Sequence, residues 1–97
     1  MKPRFRVIWK RSLIERRLAA IVAKAMQRGD DVNAITRAMN AIERTLVSNP
    51  EAAGESRDEF ERVLFEPPLN VTFEVHEEDS IVYVLRLRYR PRRPGGR

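Results

Sequence analysis

The stretch SLIERRLAAIVAKAMQRGDDVNAITRAMNAIERTLVSNP, residues 12–50, decides the fold. Ile14, Leu18, Ile21, Val22, Ala25 and Met26 recur at intervals of three and four, the spacing that lines one stripe of a helix with apolar side chains. Ser12 and Glu15 stand at the S-x-x-E spacing of a capping box, which predicts that the helix starts there. The helix should end near Arg28, because Gly29 takes a left-handed cap without a Cβ clash. Asp30 or Asp31 can cap a second helix at once. Val32, Ile35, Met39, Ile42 and Leu46 carry its stripe, and Asn49-Pro50 stops it, since proline has no N–H to donate and restricts the residue before it. Two helices joined by a Gly-Asp-Asp corner form an antiparallel hairpin. Neither stripe can be covered by the other alone, so the pair is expected to lie on a sheet.

Strand patterns flank the hairpin on both sides. Before it, Phe5, Val7 and Trp9 alternate with Arg4, Arg6, Ile8 and Lys10. After it, residues 50–60 read as an acidic loop with Gly54 at its middle. Arg62-Val63-Leu64-Phe65 reads as a short strand broken by Pro67-Pro68. Residues 70–76 read as a strand with Val71, Phe73 and Val75 on one face, and Glu77-Glu78-Asp79-Ser80 as a polar turn. Residues 81–90 give the longest strand. Uniform alternation there puts Ile81, Tyr83, Leu85, Leu87 and Tyr89 on one face, and Val82, Val84, Arg86, Arg88 and Arg90 on the other. The expected fold is α+β, in the order β-α-α-β-β-β, with the helical hairpin packed on a small twisted antiparallel sheet whose last three strands form a meander. The hairpin should cover Phe5, Val7, Trp9, Val71, Phe73, Tyr83 and Leu85. The bare face should show Arg4, Arg6, Lys10, Arg86, Arg88 and Arg90. One domain over residues 1–90 and a flexible basic tail over 91–97 account for the 97 residues.

Charge is distributed unevenly along the chain, whose formal net charge is +5. Residues 1–50 hold eleven Lys and Arg against four acids, a balance of +7. Residues 51–79 hold two arginines against ten acids, a balance of −8. Residues 80–97 hold six arginines and no acid, a balance of +6. A basic pole on such a dipolar surface attracts nucleic acid or an acidic protein. The absence of cysteine excludes disulfides, thiolate metal sites and cysteine nucleophiles, and it fits a reducing compartment. No apolar run is long enough to span a membrane, and the basic N-terminus lacks the apolar segment of a secretion signal, so a cytoplasmic location is the default expectation.

Two further stretches carry a family resemblance. Asn49-Pro50-Glu51-Ala52-Ala53-Gly54-Glu55-Ser56-Arg57 is similar to a "DP…GESR" loop, and residues 62–75, RVLFEPPLNVTFEV, are similar to an "RVLF-PPL-V-FEV" hairpin. Both belong to one branch of the RelE/ParE toxins of bacterial type II toxin–antitoxin systems, the plasmid stabilisation family. With the opening strand and the helix pair, the resemblance extends over roughly residues 4–90. It implies a growth inhibitor neutralised by an acidic, partly disordered antitoxin. RelE-like members cut mRNA in the ribosomal A site, and ParE-like members inhibit DNA gyrase without cutting anything.

Metal-free RNA cleavage requires a base for the 2′-OH, cations around the phosphate and an acid for the leaving 5′-oxygen. The resemblance puts Arg90 where a RelE-like enzyme keeps a catalytic arginine, with Tyr89 as its neighbour. A guanidinium there could clamp the phosphate through two hydrogen bonds. Arg4, Arg6, Lys10, Arg62, Arg86 and Arg88 are the candidate nucleic-acid contacts. Two departures count against cleavage: Asn70 stands where the nucleases of the family keep an arginine, and residues 50–60 contain no lysine. His76, the one histidine, ends a strand beside an acidic turn and reads as a surface residue. Glu59 and Glu61 lie in a segment that repels RNA, and Trp9 reads as core. Arg62 could orient RNA or pair with Glu61 or Glu74. No zinc spacing, phosphate-binding glycine loop or serine–histidine–carboxylate set is present, so no metal or cofactor is expected. The expected function is a toxin acting by ribosome-dependent mRNA cleavage. The alternatives are a non-catalytic gyrase inhibitor and a degenerate toxin that only binds its antitoxin. A free-standing RNA-binding domain is the most distant option, because the paired aromatics of a stacking sheet are not evident.

Overall fold

Helix α1 (Arg11–Arg28) and helix α2 (Val32–Ser48) form the expected hairpin. Gly29 ends α1 in the left-handed conformation, with φ of 75°, and its N–H closes the last turn on the Ala25 and Met26 carbonyls. Asp31 caps α2 by accepting from the Asn33 N–H at 2.9 Å. The start of α1 differs from expectation. The helix begins at Arg11 with Lys10 as its N-cap, and no side chain caps it. Strand β1 (Arg6–Trp9) runs into the helix after a single residue, so the first turn is already wound at Ser12 and the capping box does not form. Glu15 instead pairs with Arg11 one turn back, at 3.6 Å and in solvent.

The computed structural model describes residues 4–91; of the basic tail expected at 91–97, all but Pro91 lies outside the described residues. A 3-10 turn (Pro50–Ala52) follows α2. Strands β2 (Glu55–Ser56), β3 (Glu61–Glu66), β4 (Leu69–His76) and β5 (Ile81–Tyr89) come next. The sheet order is β1-β5-β4-β3-β2. Strands β2 to β5 are successively antiparallel, and β1 lies parallel to β5 with Arg6 opposite Ile81 and Trp9 opposite Val84. The sheet is therefore mixed, not antiparallel throughout. The hairpin of helices carries the chain from β1 at one edge of the sheet to β2 at the other, and β3 and β4 lead it back to β5 beside β1. The acidic loop also contributes a strand, the two-residue β2.

The largest correction concerns β5. Its pairing with β4 shifts register between Thr72 and Phe73: Thr72 opposes Arg86, but Phe73 opposes Val84. Leu85 is the extra residue of a β-bulge, and alternation restarts after it. Val82, Val84 and Leu87 are buried under the helices, whereas Ile81 and Tyr83 face outward. The expected covering of Tyr83 and Leu85 is thus replaced by that of Val82 and Val84. Arg86 and Arg88 keep their expected outward face.

The core joins Phe5, Ile14, Ile21 and Ala25 to Ile35, Ala38, Ile42 and Leu46 of α2, and to Leu69, Val71, Phe73, Val82, Val84 and Leu87 of the sheet. Helix α1 lies over β5, and α2 lies over β1, β3 and β4. Met26, expected in the α1 stripe, is 67% exposed: Ala25 takes the buried position in that turn, and Met26 stands on its flank. The Trp9 indole N–H donates to the Glu43 carboxylate at 2.9 Å and ties β1 to α2.

Candidate nucleic-acid interface

The two poles of charge separate along the strands. The β4–β5 turn carries Glu77, Glu78 and Asp79, and the neighbouring ladder pairs Glu61 with Glu74. Glu51 joins this end; a hydrogen bond shared with Glu77 holds its carboxyl above the usual range. His76 donates through its Nε2–H to the Glu74 carboxylate at 3.1 Å and meets the Tyr83 ring edge-on at 5.1 Å. At the other end, Arg86 opposes Thr72, Arg88 opposes Asn70, and the Arg90 N–H extends the ladder to the Pro68 carbonyl at 2.6 Å. Alternation after the bulge puts all three arginines on the face away from the helices, and all three are exposed. Their Cα atoms are spaced about 7 Å apart in turn, two residues of strand each. Among the described residues none of them is in an ion pair.

The other expected contacts are scattered. Arg4 is exposed ahead of β1, and Arg6, opposite Ile81, stands toward the acidic end. Lys10 lies at the β1–α1 junction, just past the partner of Val84, and is the only one of these three near the arginine row. Arg62 opposes Phe73 and so projects to the helix side of the sheet. Its guanidinium donates to the Ala53 carbonyl at 2.8 Å and the Gly54 carbonyl at 3.2 Å, clamping the loop onto β3, and it pairs with neither Glu61 nor Glu74.

Tyr89 and Arg90 do not converge. Tyr89 faces the helices, where its hydroxyl donates to Asp30 at 2.6 Å across the hairpin corner; Arg28 donates to the same oxygen at 2.8 Å. Burial, followed by this hydrogen bond and the Asp30 charge, pushes the Tyr89 hydroxyl up to about 12. The bonds from Tyr89 and Arg28 hold the Asp30 carboxyl below its ordinary value. Stability from the Tyr89 interaction is complete below the ordinary tyrosine value of about 10 and is lost as pH rises through about 12. Stability from Asp30 is present above the ordinary carboxylate value and is lost as pH falls through its lowered one. In an alkaline absorbance titration, the difference between wild type and Tyr89→Phe should therefore show a phenolate midpoint near 12, and Asp30→Asn should bring that midpoint down.

Strand β1 ends opposite Val84, so beyond that point β5 has a strand neighbour on its β4 side and none on the other. The open side of Leu85–Arg88 and the start of α1 enclose a groove of about 420 Å³ lined by Ile14, Arg16, Arg17 and Ala20. Arg17 donates across it to the Leu87 carbonyl at 2.9 Å. Arg16 and Arg17 thus extend the basic end from the sheet onto the helix. No sequence pattern marks them, because only the packing of α1 over β5 brings them there. This end can hold a row of phosphates by charge-assisted hydrogen bonds. The carboxylates nearest its tip, Asp30 and Asp31, share a pocket with Pro68, Tyr89 and Pro91 and are engaged by Tyr89, Arg28 and Arg37. Comparison with protein-family models, curated proteins and solved structures finds no match for this chain.

Proposed function

We propose that the chain is the toxin of a toxin–antitoxin pair of the RelE/ParE kind, and that it inhibits growth by seating its arginine face on RNA at the ribosome. The carrying observation is the alignment of Arg86, Arg88 and Arg90 on one exposed face, with no counter-charge paired to them among the described residues. An acidic antitoxin is the proposed protein partner, since a basic end of this density needs an opposite charge to silence it. Proposed cleavage of mRNA would rest on Arg90 as the phosphate clamp, without Tyr89, whose hydroxyl is turned to the helix side.

A second reading, inhibition without cleavage, is favoured by the Tyr89 hydroxyl. It is held by Asp30 on the face opposite Arg90, which leaves the arginines without an acid–base partner. A gyrase inhibitor and a toxin that only binds its antitoxin both fall under this reading.

Induced expression in a bacterial host separates these possibilities. The first reading expects growth arrest with cut mRNA, both abolished by Arg90→Ala. Arrest with DNA damage and intact mRNA would point to gyrase, and harmless expression would point to a degenerate toxin. Arg86→Ala with Arg88→Ala should weaken binding to a polyanion and reduce the slope of log affinity against log salt by about 0.7–0.9 per lost contact, read by titration at several salt concentrations. An unchanged slope would remove the arginine face from the mechanism.

A further inference from the structure

Phe65 is 53% exposed, an unusual state for phenylalanine in a strand of a small sheet. A single exposed apolar side chain is common on any surface, so exposure alone assigns it nothing. Its register does. Phe65 opposes Asn70 across β3 and β4, and Asn70 opposes Arg88 across β4 and β5. Directly opposed residues share a face of the sheet, so aromatic ring, carboxamide and guanidinium form one row on the outer surface. The row spans about 10 Å, two strand spacings. Leu64 and Leu87, their neighbours in β3 and β5, turn inward to the core and fix this orientation. Among the described residues, the Asn70 amide makes no side-chain hydrogen bond to the protein, so it is available to an external group. The next row repeats the arrangement in weaker form, with Val63, Thr72 and Arg86.

We propose that this row is a one-nucleotide subsite for single-stranded RNA: a base stacks on Phe65, Asn70 bonds the edge of that base, and Arg88 holds a flanking phosphate. The assignment rests on the RNA-directed reading above and deepens it. A ring on an open sheet can stack on an unpaired base but cannot reach one inside a duplex, whose faces are already covered. The carboxamide offers both a donor and an acceptor, which suits the edge of a base better than a phosphate. Asn70, whose uncharged side chain weakens a purely phosphate-based account, has a role in this arrangement. The other strongly exposed phenylalanine, Phe60, precedes β3 at the acidic end, where nucleic acid is repelled.

The test uses the full chain and fluorescence anisotropy with three labelled probes: a ten-nucleotide single-stranded RNA, an abasic strand of equal length and a duplex RNA. Phe65→Leu keeps an apolar side chain on the surface and removes the π face. It should lower affinity for the base-bearing strand about 5- to 150-fold, the equivalent of one lost stack. The salt slope and the affinity for the abasic strand should not change. Arg88→Ala should weaken base-bearing and abasic strands alike and reduce the slope. Asn70→Ala should narrow the spread of affinities among the four homopolymers. Equal binding of wild type and Phe65→Leu to the base-bearing strand overturns the subsite, as does a wild-type preference for duplex over single strand. If arginine-dependent RNA binding and growth arrest persist in that case, the toxin reading stands and the stacking inference alone fails. If no RNA probe binds, both fail.

Discussion

Phe73→Ala should be the most damaging single substitution in the sheet, lowering stability by about 3–5 kcal/mol. Phe73 is fully buried and is the largest such side chain in the core. It is also the residue at which β4 changes register against β5, opposing Val84 while its neighbour Thr72 opposes Arg86. A cavity there would remove the contact that holds both sides of the bulge in phase. For a chain of 97 residues, total stability is about 5–15 kcal/mol, so the loss is a large fraction of the whole. Thermal unfolding followed by circular dichroism should show a fall in Tm of at least about 12 °C. A fall of only a few degrees would mean that the neighbouring side chains close the cavity, and that the bulge is held by the backbone alone.

Gly54→Ala should rank next, and the comparison with Gly29→Ala makes it informative. Both glycines have positive φ, 63° and 75°, so either alanine incurs the left-handed penalty of about 1–2 kcal/mol. At Gly29 a Cβ would meet nothing within 4 Å. At Gly54 it would overlap the Val63 carbonyl and stand 2.9 Å from Leu64 Cα. Backbone cannot step aside as a flexible side chain does, so the loop must lift off β3. The pairs Glu55 with Val63 and Ser56 with Arg62 should open, together with the Arg62 bonds to the Ala53 and Gly54 carbonyls. The expected drop in Tm for Gly54→Ala is at least about twice that for Gly29→Ala, with faster amide exchange confined to the 53–57 and 61–63 segments. Equal drops would show that the loop relaxes without losing its strand pairing.

The hairpin of helices was legible because its signals are local. Gly29 and Asp31 end one helix and start the next by groups within a few residues of the corner, and the α2 stripe lies wholly under its own period. The faces of β5 were only half legible. Ile81 to Leu85 is an unbroken apolar run, so nothing in it sets the phase of alternation, whereas Arg86 and Arg88 do set the phase of the second half. Extending that phase backward across Leu85 puts Tyr83 inside, and only the pairing with β4 reveals the extra residue. The parallel position of β1 was illegible for a similar reason, as it depends on where the strands after the helices bring the chain back to the first edge. Within the candidate site, the arginine row was readable from its alternation. Phe65 was not, because its significance lies in what stands opposite it on two other strands. Arg62 and Tyr89 have the residue types of a phosphate site, but long-range partners, Ala53, Gly54 and Asp30, hold them on the far side of the sheet.

The shortness of β1 beside β5 also governs how copies of the molecule behave toward one another. A bare strand margin is an invitation to fibril-like association. Here one guanidinium, that of Arg17, occupies an acceptor on the margin, and cations line both of its banks. Two identical molecules meeting there would bring like charges into register, so self-stacking is opposed both by an occupied carbonyl and by repulsion. The margin discourages its own kind while remaining hospitable to a chain of opposite sign.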